Sequence, residues 1–286
     1  MKTWVLVRGG LGNQMFQVAY GAALKARFGA DVGYVDFSQD ARVKRDWGLS
    51  AFGVERVALP PARWRLLRWL VIAARRLQDG AGVPVPDVVW VEPEVGGWRP
   101  WPRRAPLVAD GYWQQVRYLS DLLPTLRGLF QADLGPYGAS VAQWRAGGRP
   151  LVALHARRGD YVSDPAAAMH LVCDTGYYSR AWSHVRDAVP DARLVVFSDD
   201  PTWAQAHLQL ADDVIFATSD PGQPAWVDMM RMRACDHFII SNSSYSWWPA
   251  FLADRPGKIV VAPDHWLVGV ATRGIGICPE DWTLLG

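Results

Sequence analysis

Short apolar segments that end in polar turns, each followed by a helical pattern, recur along the chain. In the C-terminal half the pattern predicts strands at 151–155, 194–198, 214–217, 237–241 and 258–262, with helices near 176–188, 201–209, 224–235 and 245–254. Strands that alternate with helices need crossover connections, so they lie parallel in an open sheet. The alternation predicts an α/β fold, in which ligands bind beyond the carboxyl ends of the strands.

The N-terminal half follows the same pattern less regularly. Strands are predicted at 3–7, 32–35 and 88–91, and helices at 13–27, 63–78 and 118–130, while 107–110 leads into the turn at 111–113. Glycines and a proline between 135 and 150 are typical of an interdomain connection. We therefore predict domains at 1–145 and 146–286 that face each other across a cleft, with the last helix able to cross back to the first domain.

Composition excludes several classes of protein. The net charge of the 286 residues is only +2, which gives no electrostatic case for binding nucleic acid. Cys173, Cys235 and Cys278 form no CxxC pair, as expected of reduced cysteines in the cytoplasm. The first apolar run meets Arg8 too early for a signal peptide, and no apolar run approaches the roughly 20 residues that span a bilayer. We expect a cytoplasmic protein.

Two adjacent arginines follow the apolar run at 151–154, in the sequence HARRGD at 155–160. A guanidinium group presents a fork of donors that matches a phosphate or diphosphate. Arg157 and Arg158 at a strand end therefore favour an anion site. A surface salt bridge with Asp160 is the competing interpretation.

The turn GGLGNQ at 9–14 lies between a predicted strand and a helix, where backbone amides and the helix N-terminus attract anions. Met15 stands where the dinucleotide fingerprint requires glycine, so that fingerprint is absent. A plain tight turn also explains the glycines, whereas the side-chain donors of Asn13 and Gln14 favour ligand binding.

Two further polar turns follow strands. Asp199 and Asp200 could orient an arginine or a ligand, or cap the next helix. Ser243 and Ser244 open a helix, which again allows either an anion cradle or capping. Asp228, one helix earlier, could accept from guanine N1 and N2, with a solvated helix carboxylate as the competing interpretation.

The motifs together resemble those of the bacterial α-1,2-fucosyltransferases, glycosyltransferase family 11. They occur in the family's order: GGLGNQMFQ at 9–17, DGYWQ at 110–114, HARRGDY at 155–161, FSDD at 197–200 and SNSSYSWW at 241–248. The HxRRxD element is shared with α-1,6- and protein O-fucosyltransferases. Ala156 and Pro249 depart from the family pattern, and we expect Pro249 to alter the start of its helix.

The resemblance implies a GT-B fold and inverting transfer of L-fucose from GDP-β-L-fucose to the 2-hydroxyl of a terminal β-galactoside of a glycan, without a metal or cofactor. Arg157, Arg158 and Asp160 would be catalytic, with Asp160 either the base or an orienting group. The residues that it implies for donor binding are His155, Gly10, Gly12, Asn13, Gln14, Asp228, Asn242, Ser243, Ser244 and Asp199.

Other functions stay open at this point. One is a different GDP-sugar-dependent fucosyltransferase, α-1,6 or O-linked; another is a glycan-binding protein without catalysis, for which the sixteen tryptophans would suit sugar stacking. The basic helix at 63–76 offers either peripheral contact with the inner face of a membrane or a solvated face. The sequence does not define the acceptor or the oligomeric state.

Overall fold

The structure is a computed structural model that describes residues 2–38, 45–81, 88–93, 99–163, 169–170, 173–220 and 222–286. Within this range the side chains of 79–81, 160 and 163 are not described. The chain divides into two compact units, Met1–Phe130 and Gln131–Gly286.

The first unit is built on a parallel sheet in the order β2-β1-β4-β3. Its elements are β1 (Lys2–Val7), α1 (Leu11–Phe28), β2 (Asp31–Asp36), α2 (Pro61–Ala81), β3 (Val89–Val91), β4 (Val108–Asp110) and α3 (Leu123–Leu129). Three short 3-10 helices cover Leu49–Phe52, Val116–Tyr118 and Ser120–Leu122. Helix α2 packs its apolar side chains against the sheet, in a core that includes Leu6, Val35, Leu67, Val71 and Val89.

The second unit holds a six-stranded parallel sheet in the order β12-β9-β8-β5-β6-β7, and a separate antiparallel pair, β10 with β11. After the 3-10 helix Gly135–Gly138, its elements are α4 (Ala139–Trp144), β5 (Leu151–Ala156), α5 (Gly159–Ser163), α6 (Thr175–Ala188), β6 (Arg193–Ser198), α7 (Pro201–His207), β7 (Ile215–Phe216), α8 (Ala225–Arg233), β8 (His237–Ile239), α9 (Ser244–Leu252), β9 (Val260–Pro263), β10 (His265–Leu267), β11 (Val270–Ala271), α10 (Thr272–Ile275) and β12 (Thr283–Leu285). The strand β5 is buried along its whole length, as a central strand of a parallel sheet must be.

The predicted α/β class is confirmed in both units, and every predicted strand is present. Three differences have local causes. Residues 131–145, predicted to end the first domain, belong to the second unit, where the Trp144 ring packs edge-on against Phe197. The chain ends in strand β12, paired with β9, where the prediction had a last helix. Helix α9 runs through Pro249 to Leu252, so this proline lies inside the helix and does not alter its start.

Candidate functional site

The strand order of the second unit defines where a ligand would bind. From β5 the chain proceeds through β6 to β7 on one side, and then returns to place β8 and β9 on the other side. The carboxyl ends of β5 and β8 therefore flank the topological switch point, which is the usual ligand site of an open α/β sheet. The HARRGD, FSDD and SNSS turns follow β5, β6 and β8, so the parallel sheet brings all three to one edge.

His155 and Ser241 span this switch point. The His155 Nδ1 atom lies 3.0 Å from the Ser241 hydroxyl, and the imidazole is only 5% exposed. Burial, together with the positive charge of Arg157, lowers the pKa of His155 to about 3. The imidazole is therefore neutral at physiological pH. It can offer one hydrogen bond to a ligand, but no positive charge.

Asp199 holds the first arginine. Its Oδ2 atom lies 2.7 Å from Arg157 Nη1, and its Oδ1 atom accepts the backbone N–H of Arg158 at 2.8 Å. A Cβ atom at Gly159 would lie 2.5 Å from Asp199 Oδ2, so the carboxylate occupies space that only glycine leaves open. One side chain from the end of β6 thus orients the whole turn after β5.

The second arginine is held differently. The Arg158 guanidinium lies 4.0 Å from the ring centre of Trp203, and its Nε atom lies 3.6 Å from Asp200 Oδ2. This Nε is buried and has no hydrogen-bond partner among the described residues. Asp200 itself accepts the backbone N–H of Trp203 at 3.0 Å and caps α7. Both interpretations of the two aspartates hold: Asp199 orients arginines and Asp200 caps a helix.

The SNSS turn is tied into the second unit by its own side chains. The buried Asn242 amide donates to the carbonyls of His170 and Trp266, each at 2.8 Å. The Ser243 hydroxyl accepts the backbone N–H of Tyr245 at 3.3 Å, which confirms capping for this residue. Ser244 is the first residue of α9. Contacts of these three residues with a donor stay predictions.

Asp228 lies in the first turn of α8 and is paired with a buried arginine. Its Oδ1 atom accepts from Arg231 Nη1 at 3.1 Å and from Gln223 Nε2 at 3.0 Å, and its Oδ2 atom accepts from the Ser219 hydroxyl. The Arg231 side chain is only 8% exposed. The competing interpretation of a solvated helix carboxylate is therefore wrong, because Asp228 compensates a buried positive charge.

Tyr245 connects Asp228 to the site. Its ring centre lies 5.5 Å from that of His155, and its hydroxyl donates to the Ala225 carbonyl at the start of α8. Burial, with a smaller contribution from the Asp228 charge, raises the pKa of Tyr245. Asp228 is thus within electrostatic range of the edge that carries His155. Asp160 lies in α5, but its side chain is outside the described residues, so its role as base stays a prediction.

The first unit has a switch point of its own, between β1 and β4. Gly9 adopts a φ of +84°, Gly10 caps α1, and Gly12 lies in the helix's first turn. The Asn13 side chain accepts a 2.7 Å hydrogen bond from Gln114, which links the turn after β1 to the DGYWQ turn after β4. This geometry places the glycine turn at the carboxyl edge of the first sheet, and its role as an anion cradle stays a prediction.

Gln14 has an internal role at this edge. Its side-chain nitrogen donates to the carbonyls of Gly9 and Asp46, at 2.9 and 2.8 Å, and its oxygen accepts the backbone N–H of Gly48 at 3.0 Å. The side chain is also buried. The Gln14 side chain therefore anchors the 46–48 segment. Any contact of this side chain with a donor substrate would have to replace one of these three hydrogen bonds.

The sequence analysis missed a buried ion cluster after β4. The Asp110 side chain is fully buried and pairs with Arg8 and with Arg75, whose Nη2 lies 2.6 Å from Asp110 Oδ2. Asp110 lies at a strand end, and Arg8 follows β1 on the neighbouring strand. That shared position was the signal that could have found the pair. Arg75 comes from α2, far away in sequence, and carried no signal.

A strained turn beside this cluster was also missed. Trp113 is a non-glycine residue with a φ of 57°, and its ring stacks on Tyr20 with 3.9 Å between ring centres. Glu92 accepts the backbone N–H groups of Tyr112 and Trp113, the latter at 2.9 Å. Burial raises the pKa of Glu92. Backbone strain that the surroundings hold in place is typical of functional turns.

The described residues contain no group of three histidine, cysteine or acidic side chains able to hold a metal ion. Metal independence stays a prediction. The helices within the described parts of the chain are also too short or too polar to cross a membrane.

The fold resembles that of fucosyltransferases of known structure. A structure of NodZ from Bradyrhizobium aligns with a TM-score of 0.52 and 13% identity, over 95% of this chain and 97% of NodZ. A NodZ α-1,6-fucosyltransferase structure soaked with GDP-fucose aligns with a TM-score of 0.50 and 15% identity, over 91% of this chain and 95% of that one. The predicted GT-B fold class is thereby confirmed.

Relatives in sequence are glycosyltransferases. The chain is 37% identical to the O-antigen biosynthesis glycosyltransferase WbnK of Escherichia coli over 41% of this chain, and 32% identical to an E. coli α-1,2-colitosyltransferase over 60% of it. It is 30% identical to the human galactoside α-(1,2)-fucosyltransferase 1 over 49% of this chain. These matches span 39%, 60% and 38% of the relatives' own lengths.

The fold is of the GT-B class. The family model of glycosyl transferase family 11 matches residues 100–268, which include four of the five motifs in full, all but the glycine turn at 9–17. The chain belongs to glycosyl transferase family 11.

Proposed function

We propose that this chain is a galactoside α-1,2-fucosyltransferase, which transfers L-fucose from GDP-β-L-fucose to the 2-hydroxyl of a terminal β-galactoside with inversion. One observation carries the proposal: the Arg157–Asp199 pair lies beside the switch point spanned by His155 and Ser241. The galactoside fucosyltransferase and colitosyltransferase among the relatives support the α-1,2 linkage.

The arginines would stabilise the leaving group. As the bond between fucose C1 and the diphosphate breaks, negative charge grows on the departing oxygen, and preorganised donors lower the barrier by meeting that charge. Asp199 fixes the Arg157 guanidinium, and Trp203 fixes that of Arg158. The buried Nε of Arg158 has no hydrogen-bond partner among the described residues, so a phosphate oxygen would complete its hydrogen bonding. The backbone amides of Asn242, Ser243 and Ser244 would add donors at the start of α9, since the Asn242 side chain already donates both of its N–H bonds to carbonyls.

The new bond forms between the acceptor's 2-hydroxyl oxygen and fucose C1, and the hydroxyl proton must pass to a base. Asp160, in the same turn as the arginines, is our choice for that base. His155 would serve the donor differently: a neutral imidazole can bind a guanine edge without adding charge. Asp228 would accept from guanine N1–H and N2–H.

A second candidate concerns the donor sugar. The colitosyltransferase matches a larger share of the chain than the human galactoside fucosyltransferase does, so a colitosyl donor is the alternative to test. The experiment offers GDP-fucose and GDP-colitose in parallel, each with a panel of β-galactosides, and determines the linkage of every product. GDP affinity is measured separately by calorimetry.

The outcomes separate the candidates. An α-1,2-fucosylated galactoside, formed equally with EDTA present, is the result that we expect. Preference for GDP-colitose would reassign the donor, and an α-1,6 or O-linked product would reassign the acceptor. Failure to bind GDP at all would leave a glycan-binding protein. Loss of transfer in EDTA that Mg²⁺ restores would contradict the metal-independent mechanism.

A further inference from the structure

Helix α2 has two apolar faces, only one of which is buried. Leu67, Val71 and Ala74 pack into the core of the first unit. Spacings of three and four residues place a second set, Leu66, Trp69, Ala73 and Leu77, on a different face of the helix. An ordinary surface helix carries polar residues there.

This outer face is exposed to an unusual degree. Leu66 is 55% exposed, Trp69 64%, Ile72 38% and Leu77 48%, and these are four of the nine large hydrophobic side chains that are exposed among the described residues. A contiguous apolar stripe of this kind marks a surface that contacts something. We call Leu66, Trp69, Ala73 and Leu77 the outer stripe; Ile72 lies on its flank, beyond Arg65 and Arg76.

Arginines border the outer stripe. The exposed residues Arg65, Arg68 and Arg76 lie along one side of it, and Arg63 lies along the other. Between 61 and 78 the helix contains no acidic residue. The chain as a whole carries a net charge of only +2, so the positive charge is concentrated locally on this helix.

We propose that the outer stripe of α2 docks on the surface of an anionic lipid bilayer. Leucine and tryptophan side chains would enter the boundary between headgroups and acyl chains, and the arginines would meet the lipid phosphates. A second copy of this chain fits less well. A symmetric dimer through this face would bring the arginines of one copy against those of the other. The proposal is independent of the reaction that the protein catalyses.

The test is co-sedimentation of the full chain with vesicles of phosphatidylcholine, with and without phosphatidylglycerol. We expect binding to the anionic vesicles that weakens as salt increases. L66S/W69S should weaken binding by at least about tenfold, since two side chains no longer insert. R65Q/R76Q should weaken it by roughly 10–30-fold, about fivefold for each arginine.

Matched controls come from the second unit. V268S removes an exposed apolar side chain, and R186Q removes an exposed arginine of α6; both should bind like the parent. Because every changed side chain is exposed, the thermal midpoints should agree, and they are measured alongside. Three results would each overturn the proposal: no binding, equal binding to phosphatidylcholine alone, or a dimer in light scattering that L66S/W69S splits.

Discussion

Asp199 and Arg157 form an ion pair in which Oδ2 and Nη1 are 2.7 Å apart, although the two residues belong to different strand ends. The same carboxylate accepts the Arg158 backbone N–H. With both side chains about three-quarters buried, the pair fixes the direction of the guanidinium more than it adds to stability. Asp199 therefore acts as a positioning residue for the arginine turn.

The first prediction concerns the arginines themselves. Changing Arg157 or Arg158 to alanine should lower kcat by roughly 10²–10³-fold, the range for losing one preorganised donor to a developing charge. Steady-state kinetics with GDP-fucose and a β-galactoside measures the effect. Near-parental rates in both variants would reduce the pair to a structural salt bridge. R186Q, on an exposed part of α6, serves as the charge control.

The second prediction separates positioning from binding. In Asp199→Asn, an amide N–H would face Arg157, so the guanidinium loses its orientation. We expect kcat to fall by roughly 10–150-fold, the value of a charge-assisted hydrogen bond. GDP affinity should change little. The guanidinium is less well oriented for the diphosphate, but the negative charge that would repel the diphosphate is also removed. D213N, which breaks the exposed pair with Arg149, should leave both quantities unchanged. Equal losses in kcat and in GDP affinity would contradict the positioning role.

The third prediction follows from the space at Gly159. In Gly159→Ala the new Cβ would meet Asp199 Oδ2 at 2.5 Å, so either the carboxylate or the turn must move. We expect a loss of about 1–3 kcal/mol in the free energy of unfolding, together with kinetics like those of Asp199→Asn. Gly128→Ala is the matched control, since nothing lies within 4 Å of its Cβ position in α3. Denaturant unfolding that ranks the two variants equally would contradict the clash.

The fourth prediction is a pH dependence of stability. The pKa of His155 is about 3 in the folded protein and near 6.5 when unfolded. Between these values the unfolded chain binds a proton that the folded chain does not. The stability contributed by the neutral imidazole is therefore complete above pH 6.5 and is lost as pH falls towards 3, by about 1.4 kcal/mol per pH unit.

Unfolding free energies of the parent and of His155→Gln across pH 4–7 test this. The free energy of unfolding of the variant should fall less steeply with decreasing pH, by about 1.4 kcal/mol per pH unit. If H155Q does not fold, the parent's imidazole resonances still decide the matter, because titration of His155 above pH 5 would contradict the assignment.

The sequence predicted where the strands and their polar turns lie better than it predicted which side chains pair with one another. A buried run such as 151–154 and the turn after it depend on local composition, so β5 and the arginine turn could be located. Which aspartate would orient Arg157 could not, because that depends on where the end of β6 lies relative to β5. The Asp110 cluster shows the same limit, since its partner Arg75 comes from a distant helix.

The last prediction concerns Asp228 and the guanine base. Asp228→Asn keeps the shape of the side chain but turns one acceptor into a donor, which would face the guanine N1–H and N2–H. GDP affinity should fall by roughly 10–150-fold, whereas binding of pyrophosphate, which has no base, should stay near parental. Calorimetry with the two ligands gives the ratio of the GDP affinity to the pyrophosphate affinity.

That ratio is needed because Asp228 also compensates the buried Arg231, so its loss destabilises the protein for a reason unrelated to GDP. Asp236→Asn is the control for this effect: Asp236 pairs with Arg145 at 3.0 Å and accepts the backbone N–H of Leu151. It should lose stability as Asp228→Asn does, yet bind GDP and pyrophosphate in the parental ratio. If Asp228→Asn also keeps the parental ratio, its carboxylate is structural and guanine is recognised elsewhere on the edge that carries His155.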